Sequence, residues 1–537
     1  MHGRQAWFRS RTLVVAAALA CAAAPAGTAG AAPVRPTRDF VETPCAFPLA
    51  ARQAVGFNVL CGTVSVPERH AVPDGRRIDL AVAVLRSAKP TAPPLLYLNG
   101  GPAGESGELV PAMVNRGLTL RRLLQARDVV IFDQRGVGRS TPPLSCAVET
   151  VIVRRAALPR ALAACAARLR RWGVDIGAYT SAENAADVAA LAAALGAPKV
   201  DLYGGSYGSR LALTVMRDHS DAVRSVVLDA PVPLEADLAA EFGGSFDRSV
   251  RRVFAACAAD RRCNRAYPRL EASLLLAYRR LNRTPVRVRP VDLETGSRRA
   301  EARVDGDGFM DLVYLIVFGG AAQLLPQVVD NAAHGDDTLL QVVATLSDPG
   351  AVEDLSTHGM YLSVMCQEEF AFSSYARATA HDAGLLEPVR RAARRSLREW
   401  FEACAAWPVG RTSAVETKAV RSDIPTLILA GQFDPITPPE YGRRIARSLP
   451  NATAVTVRGY GHGTVGLGPC PVAIAVAFLT SPDRTPDTSC AAEAPFRFEL
   501  PRLARPTPDP RPTEADAGAA SLRRLLGGPV PARLGSR

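Results

Sequence analysis

Two hydrophobic rhythms divide this chain. Residues 78–85 form an apolar-rich run, 95–98 and 129–132 are short apolar runs, and 200–203 and 225–228 are short strand-like stretches, each of these four closed by Asn, Asp or Gly. Brief apolar runs bounded by such residues read as buried strands. Between them, residues 181–195 carry a helical pattern, with Thr180 or Ser181 as N-cap and Gly196 as the stop. Residues 209–217 carry a second helix. Short buried strands alternating with helices predict an α/β fold, a mostly parallel sheet with helices on both faces and right-handed crossovers.

From residue 233 to 414 the rhythm changes. Helical patterns dominate, as over 247–259, 270–281 and 389–405, with one strand-like patch at 286–291. The α/β pattern returns at 426–430 and 454–457. The expected layout is therefore a core built from residues 32–232 and 415–500, interrupted by a large helical cap over 233–414. Residues 501–537, rich in Pro and Arg, read as a flexible tail. Residues 1–31 read as a secretory signal. Arg4, Arg9 and Arg11 precede an apolar stretch at 13–24, shorter than the ~20 residues a membrane helix needs, and Ala29-Gly30-Ala31 is a cleavage pattern. Cys21 offers the alternative of a lipoprotein anchor, although Ala18-Leu19-Ala20 fits an acylation signal poorly.

Composition narrows the function. In 537 residues, 48% hydrophobic and 22% charged, there is material for a sizeable core, and no integral membrane span is expected. The net charge of +12 comes almost wholly from Arg, scattered among acids. The densest cluster, Arg390, Arg391, Arg394, Arg395 and Arg398, has the spacing of one solvated helix face rather than a nucleic-acid stripe. Setting Cys21 aside leaves ten of the eleven cysteines, an even number that suggests disulfides in an exported chain. Pairing of sequential neighbours is one of many arrangements the sequence allows. There is no C-x-x-C and no Cys–His metal spacing, so neither a metal site nor a cofactor is expected. The oligomeric state is not legible.

The chemistry gathers at a few positions. Gly204-Gly205-Ser206-Tyr207-Gly208 is a G-x-S-x-G turn between a strand and a helix, the context that exposes a nucleophilic Ser206 hydroxyl. Serine needs a base. Of seven histidines, His462 in Gly461-His462-Gly463 follows the last strand, in the chain order Ser, acid, His. Asp434 follows the penultimate strand and is the expected acid. Asp423 precedes that strand and would sit at the wrong end of the sheet. An oxyanion needs preorganised donors. The backbone N–H groups of Tyr207 and of Gly101 are the candidates, because Pro102 has none.

Asn99-Gly100-Gly101-Pro102-Ala103-Gly104-Glu105-Ser106, Asp133-Gln134-Arg135-Gly136-Val137-Gly138-Arg139-Ser140 and Gly205-Ser206-Tyr207-Gly208 together resemble the proline iminopeptidase and tripeptidyl aminopeptidase group of α/β hydrolases. Residues 431–470 are similar to the C-terminal segment of the tripeptidyl aminopeptidases. The resemblance spans roughly 45–495. Two departures stand out: Asn99 where proline iminopeptidases usually have His, and Ala103 where Gly is usual. The resemblance implies a secreted serine hydrolase acting on peptide N-termini. It also implies cap carboxylates that bind the free α-amino group, here Glu368 first and Glu369 second. Asp133 and Arg135 are expected to brace the loop near the active site. The substrate partner is then a small peptide, with a carboxylesterase on small esters as the alternative. A non-catalytic binding protein on the same fold is the remaining reading.

Overall fold

The computed structural model describes residues 34–47, 58–106, 122–146, 158–290, 298, 301–346, 359–466 and 468–500. The leader with Cys21 and the 501–537 tail lie outside the described residues. The apolar runs become strands of one nine-stranded sheet. In sheet order these are β1 (Phe40–Glu42), β2 (Asn58–Pro67), β3 (Arg77–Arg86), β5 (Val129–Phe132), β4 (Leu95–Leu98), β6 (Val200–Gly205), β7 (Val223–Asp229), β10 (Thr426–Gly431) and β11 (Ala452–Val457). Pairings from β1 through β3 to β5 are antiparallel. Every pairing from β5 to β11 is parallel.

Parallel strands need cover on both faces. On one face, Leu96, Leu202, Val226 and Ile428 pack with Val188, Leu191, Leu211 and Val215 of the helices Ser181–Ala194 and Tyr207–Asp218. On the other, Ile131, Val227, Leu427 and Leu429 pack with Ile474 and Phe478 of the helix Pro469–Thr480. Because β4, β6, β7, β10 and β11 run parallel, their carboxyl ends share one edge. That edge is where open α/β sheets place ligands.

β7 and β10 are neighbours in the sheet, so the chain leaves and re-enters at one place. Between them run the helices Leu238–Ala259, Leu270–Arg283, Gly306–Phe318, Leu325–His334 and Glu387–Ala406, with the hairpin β8 (Val286–Val288) and β9 (Ala302–Val304). They close over a core of their own around Val250, Val253, Leu274, Phe309, Val313 and Val329. The first of these helices starts at Leu238, earlier than the expected 247. The Asp237 side chain accepts the Ala240 N–H and caps it, and Gly243 lets it approach Ala393 and Leu385 closely.

Five disulfides join sequential neighbours: Cys45–Cys61, Cys146–Cys165, Cys257–Cys263, Cys366–Cys404 and Cys470–Cys490. Cys366–Cys404 ties the turn Met365–Glu369 to the helix Glu387–Ala406. Bridges of this kind typically stabilise by about 2–4 kcal/mol each, chiefly by restricting the unfolded chain. Among the described residues no helix is long and apolar enough to cross a membrane.

Candidate active site

Ser206 sits between β6 and the helix Tyr207–Asp218 with φ 54° and ψ −122°. A left-handed conformation at a non-glycine residue costs about 1–3 kcal/mol and must be held by its surroundings. Here the Ser206 N–H donates to the Asp229 carbonyl at 2.9 Å, and the Ser206 carbonyl accepts from Ser209 N–H at 2.8 Å. The flanking glycines are sterically required. A Cβ at Gly204 would lie 2.2 Å from the Gly208 carbonyl oxygen, and one at Gly208 would lie 1.9 Å from that of Leu98.

The loop after β4 packs directly on this turn. A Cβ at Gly100 would come within 3.0 Å of Ser206 Cβ and 3.6 Å of Ser206 Oγ. Gly101 follows with φ 114°, a conformation that favours glycine. Asn99 Oδ1 accepts the Gly100 N–H at 2.8 Å, and the Asn99 carbonyl accepts from Gln134 Nε2 at 2.8 Å. Gln134 Oε1 in turn accepts from Asn184 Nδ2 at 2.7 Å. Asn99, the departure noted above, therefore has a local role in holding the loop. Tyr207 opens its helix, so its N–H has no intrahelical acceptor. The two predicted oxyanion donors thus belong to segments that flank the Ser206 hydroxyl.

Asp434 follows β10 and is fully buried. Its Oδ1 accepts the N–H groups of Ile436 (2.9 Å) and Thr437 (2.8 Å). Its Oδ2 accepts from Thr437 Oγ1 (2.6 Å) and from His462 Nδ1 (2.8 Å). The proton is assigned to Nδ1 because an ionised carboxylate only accepts. That leaves Nε2 as the basic nitrogen. Gly461 lets the His462 loop pass close to β10 and the cap: its carbonyl oxygen lies 1.9 Å from where a Gly431 Cβ would be, and its own Cβ would lie 2.1 Å from the Val317 carbonyl oxygen.

The cap reaches the imidazole directly, which the sequence pattern did not reveal. The His462 N–H donates to the Phe318 carbonyl at 2.8 Å, and the Phe318 ring stacks on the imidazole with centroids 4.4 Å apart. Tyr314 stacks on Phe318 in turn, and Phe242 and Trp400 continue the aromatic wall. In the sequence Phe318 is one apolar residue among many, and nothing there distinguishes it from core.

Burial opposes charging of His462, but the charge and hydrogen bond of Asp434, with the Asp229 charge behind them, outweigh it and raise the imidazole above its ordinary range. As a general base His462 would have to be neutral to accept a proton, and that role predicts an acidic limb of kcat/KM above pH ~6.5, the unperturbed histidine value. A pH–rate profile checks this, and a limb below that value would contradict it.

Glu368 and Glu369 lie in the turn Met365–Glu369 and are both buried. Glu368 is heavily engaged: Oε1 accepts from the Ser181 N–H (2.6 Å), and Oε2 from Ser181 Oγ (2.7 Å) and Arg210 Nε (3.3 Å). Glu369 Oε1 lies 2.9 Å from Arg210 Nη1 without hydrogen-bond alignment, so it has no hydrogen-bond partner among the described residues. Burial pushes the Glu369 carboxyl up to about 7 against the pull of Arg210. Arg210 lies one turn beyond Ser206, so this acidic pair adjoins the helix that follows Ser206.

Asp133 and Arg135 hold structure. Asp133 accepts the N–H groups of Ser106 (2.7 Å) and Arg139 (2.9 Å). Arg135 binds Asp187 through two nitrogens and donates to the carbonyls of Glu68 and Ala178. Of the other histidines, His70 pairs with Asp187 at 2.8 Å. A polar groove of about 520 Å³ near Arg69, Glu183 and Arg411 contains none of the candidate catalytic residues.

This sheet, with a serine turn after β6, an acid after β10 and a histidine after β11, is the framework of an α/β hydrolase, and the chain has that fold. Residues 93–306 match the family described as alpha/beta hydrolase fold, and residues 390–490 match the family described as TAP-like protein. Within the α/β hydrolases the chain is similar to a peptidase group. It is 27% identical over 474 residues to tripeptidyl aminopeptidase of Streptomyces lividans, covering 81% of this chain and 84% of that one. It is 25% identical over 445 residues to serine protease Hip1 of Mycobacterium tuberculosis, covering 76% of this chain and 82% of that one. A stretch of 89 residues is 37% identical to carboxylesterase B of Mycobacterium tuberculosis, covering 17% of each chain.

Proposed function

We propose that the protein is an exported serine peptidase that releases residues or short peptides from peptide N-termini through an acyl-enzyme on Ser206. The observation that carries this reading is the hydrogen bond from His462 to the buried Asp434 on the sheet edge that also bears the strained Ser206 turn. Ser206 Oγ attacks the scissile carbonyl and passes its proton to His462 Nε2. The backbone N–H groups of Gly101 and Tyr207 receive the oxyanion. His462 then protonates the departing amine, and a water activated by the same imidazole releases the acyl group. Asp434 orients the ring and stabilises its cationic form.

The cap carboxylates would capture the substrate ammonium. Glu369 is the better placed of the two, because both Glu368 oxygens are already occupied by Ser181 and Arg210. An ammonium binds an ionised carboxylate, so KM for a free-amine substrate should fall as pH rises through about 7, where Glu369 ionises. Five disulfides favour an extracellular setting.

The second reading, a carboxylesterase, draws on the short match to carboxylesterase B. Kinetics on tripeptidyl and aminoacyl arylamides, their N-acetylated forms and a short-chain aryl ester separate the two. Peptidase action predicts that N-acetylation, or Glu369→Gln, lowers kcat/KM on the arylamides by about 10- to 100-fold, the value of one charge-assisted hydrogen bond, and leaves the ester alone. Hydrolysis of the ester only, indifferent to Glu369→Gln, would overturn the peptidase reading in favour of the esterase.

A further inference from the structure

Asp229 ends β7, between β6 and β10, and is 2% exposed. Its two halves hold two different parts of the site. The main-chain carbonyl accepts the Ser206 N–H at 2.9 Å. The carboxylate accepts from the His462 loop: Thr464 N–H lies 2.8 Å from Oδ1 and 2.9 Å from Oδ2, Thr464 Oγ1 2.9 Å from Oδ1, and Val465 N–H 3.0 Å from Oδ2. Tyr203 OH donates to Oδ2 at 2.6 Å. The next residue, Ala230, has φ 55°, so the chain turns sharply as soon as the carboxylate is set.

We infer that Asp229 is a positioning residue, which registers the Ser206 turn against the His462 loop and lends its negative charge to the imidazolium formed during catalysis. The inference rests on the reading of Ser206, His462 and Asp434 as the catalytic set. All the donors to the carboxylate are neutral, and among the described residues no Arg or Lys forms an ion pair with it. A buried anion without a counterion is costly, and a cation that forms beside it offsets that cost. His462 is the group that becomes cationic here. The ionisable groups facing His462 are Asp434 from the loop after β10 and Asp229 from β7, and Asp229 raises its affinity for the proton. The groups facing Asp229 are Tyr203, which hydrogen-bonds it, and Tyr97, stacked on Tyr203 at 5.3 Å. Burial and the Asp229 charge push both phenols up, so Tyr203 stays a donor throughout the working range.

The test is the pH dependence of aryl-ester hydrolysis and of fluorophosphonate labelling at Ser206, using the full chain. Asp229→Asn presents an amide N–H₂ where loop N–H groups need acceptors, and it removes the charge. It should lower kcat about 100-fold, as misplacement of a reacting group by about 1 Å does, with KM within about twofold. It should also move the acidic limb to lower pH. Tyr203→Phe keeps the charge but withdraws one donor, so its acidic limb should move the other way, to higher pH. A merely structural clamp would shift neither limb. If Asp229→Asn fails to fold, the Tyr203→Phe limb decides. An Asp229→Asn enzyme with wild-type kcat, or wild-type acidic limbs in the variants that fold, would overturn the inference. A wild-type enzyme unlabelled at Ser206 would instead remove the catalytic set on which it rests.

Discussion

Replacing Ser206 with alanine should lower kcat about 10⁴- to 10⁶-fold, with substrate binding and folding close to wild type. In the proposed mechanism the hydroxyl oxygen attacks, and the binding surface of cap and loops does not depend on it. The Ser206 side chain makes no capping hydrogen bond to its helix, so removing Oγ leaves no cap unmade. The strain at φ 54° is a backbone property that alanine shares. Ser206→Gly would relieve that strain and should be the more stable inactive variant, by about 1 kcal/mol in denaturant unfolding. Initial-rate kinetics beside chemical denaturation reads both effects. A Ser206→Ala enzyme retaining a tenth of wild-type kcat would contradict the nucleophile assignment.

The second large effect belongs to Asp434→Asn, expected to cost about 10⁴-fold in kcat. The hydrogen bonds dictate how the amide would sit. Oδ1 accepts two backbone N–H groups, from Ile436 and Thr437, so the amide oxygen must take that place. The N–H₂ then occupies the Oδ2 position, facing His462 Nδ1 and Thr437 Oγ1. A donor there forces Nδ1 to accept, which moves the imidazole proton to Nε2. The nitrogen that should take the Ser206 proton would already carry one. Thr437 can rotate its hydroxyl, so the fold should survive. Steady-state kinetics with a thermal melt would show a large kcat loss and a small change in Tm. A loss of less than about tenfold would mean that Asp434 does not govern the tautomer.

Some of this was legible in the chain and some was not, for physical reasons. The strands 95–98 and 129–132 carry no charged residue because both faces of a parallel sheet are covered, and that leaves a clear apolar run. Ser206 was legible because a tight strand-to-helix turn demands glycines at fixed offsets, and the clashes at Gly204 and Gly208 state that demand in distances. That Asp434 and His462 meet was legible from their order after the last strands. The helix Leu238–Ala259 is longer than the 247–259 stretch expected, and the close packing of Gly243 against Ala393 and Leu385 is a tertiary contact that the local pattern does not carry. The resemblance ranks Glu368 ahead of Glu369, and adjacent acids in a sequence carry no record of which one Ser181 will engage. Asp229 and Phe318 were illegible for the same reason: a lone Asp after a strand and a lone Phe in a cap helix gain meaning only from the distant loop they touch.

The most direct test of the central claim is to locate the adduct that a fluorophosphonate leaves on the native protein. Ser206 lies in the tryptic peptide 200–210, bounded by Lys199 and Arg210, so mass spectrometry can assign the modified residue. The account predicts a single phosphonyl group on Ser206, formed in step with loss of hydrolytic activity and abolished when His462 is replaced by alanine. An active enzyme that carries no adduct in that peptide, or one labelled on another residue as its activity disappears, would contradict it.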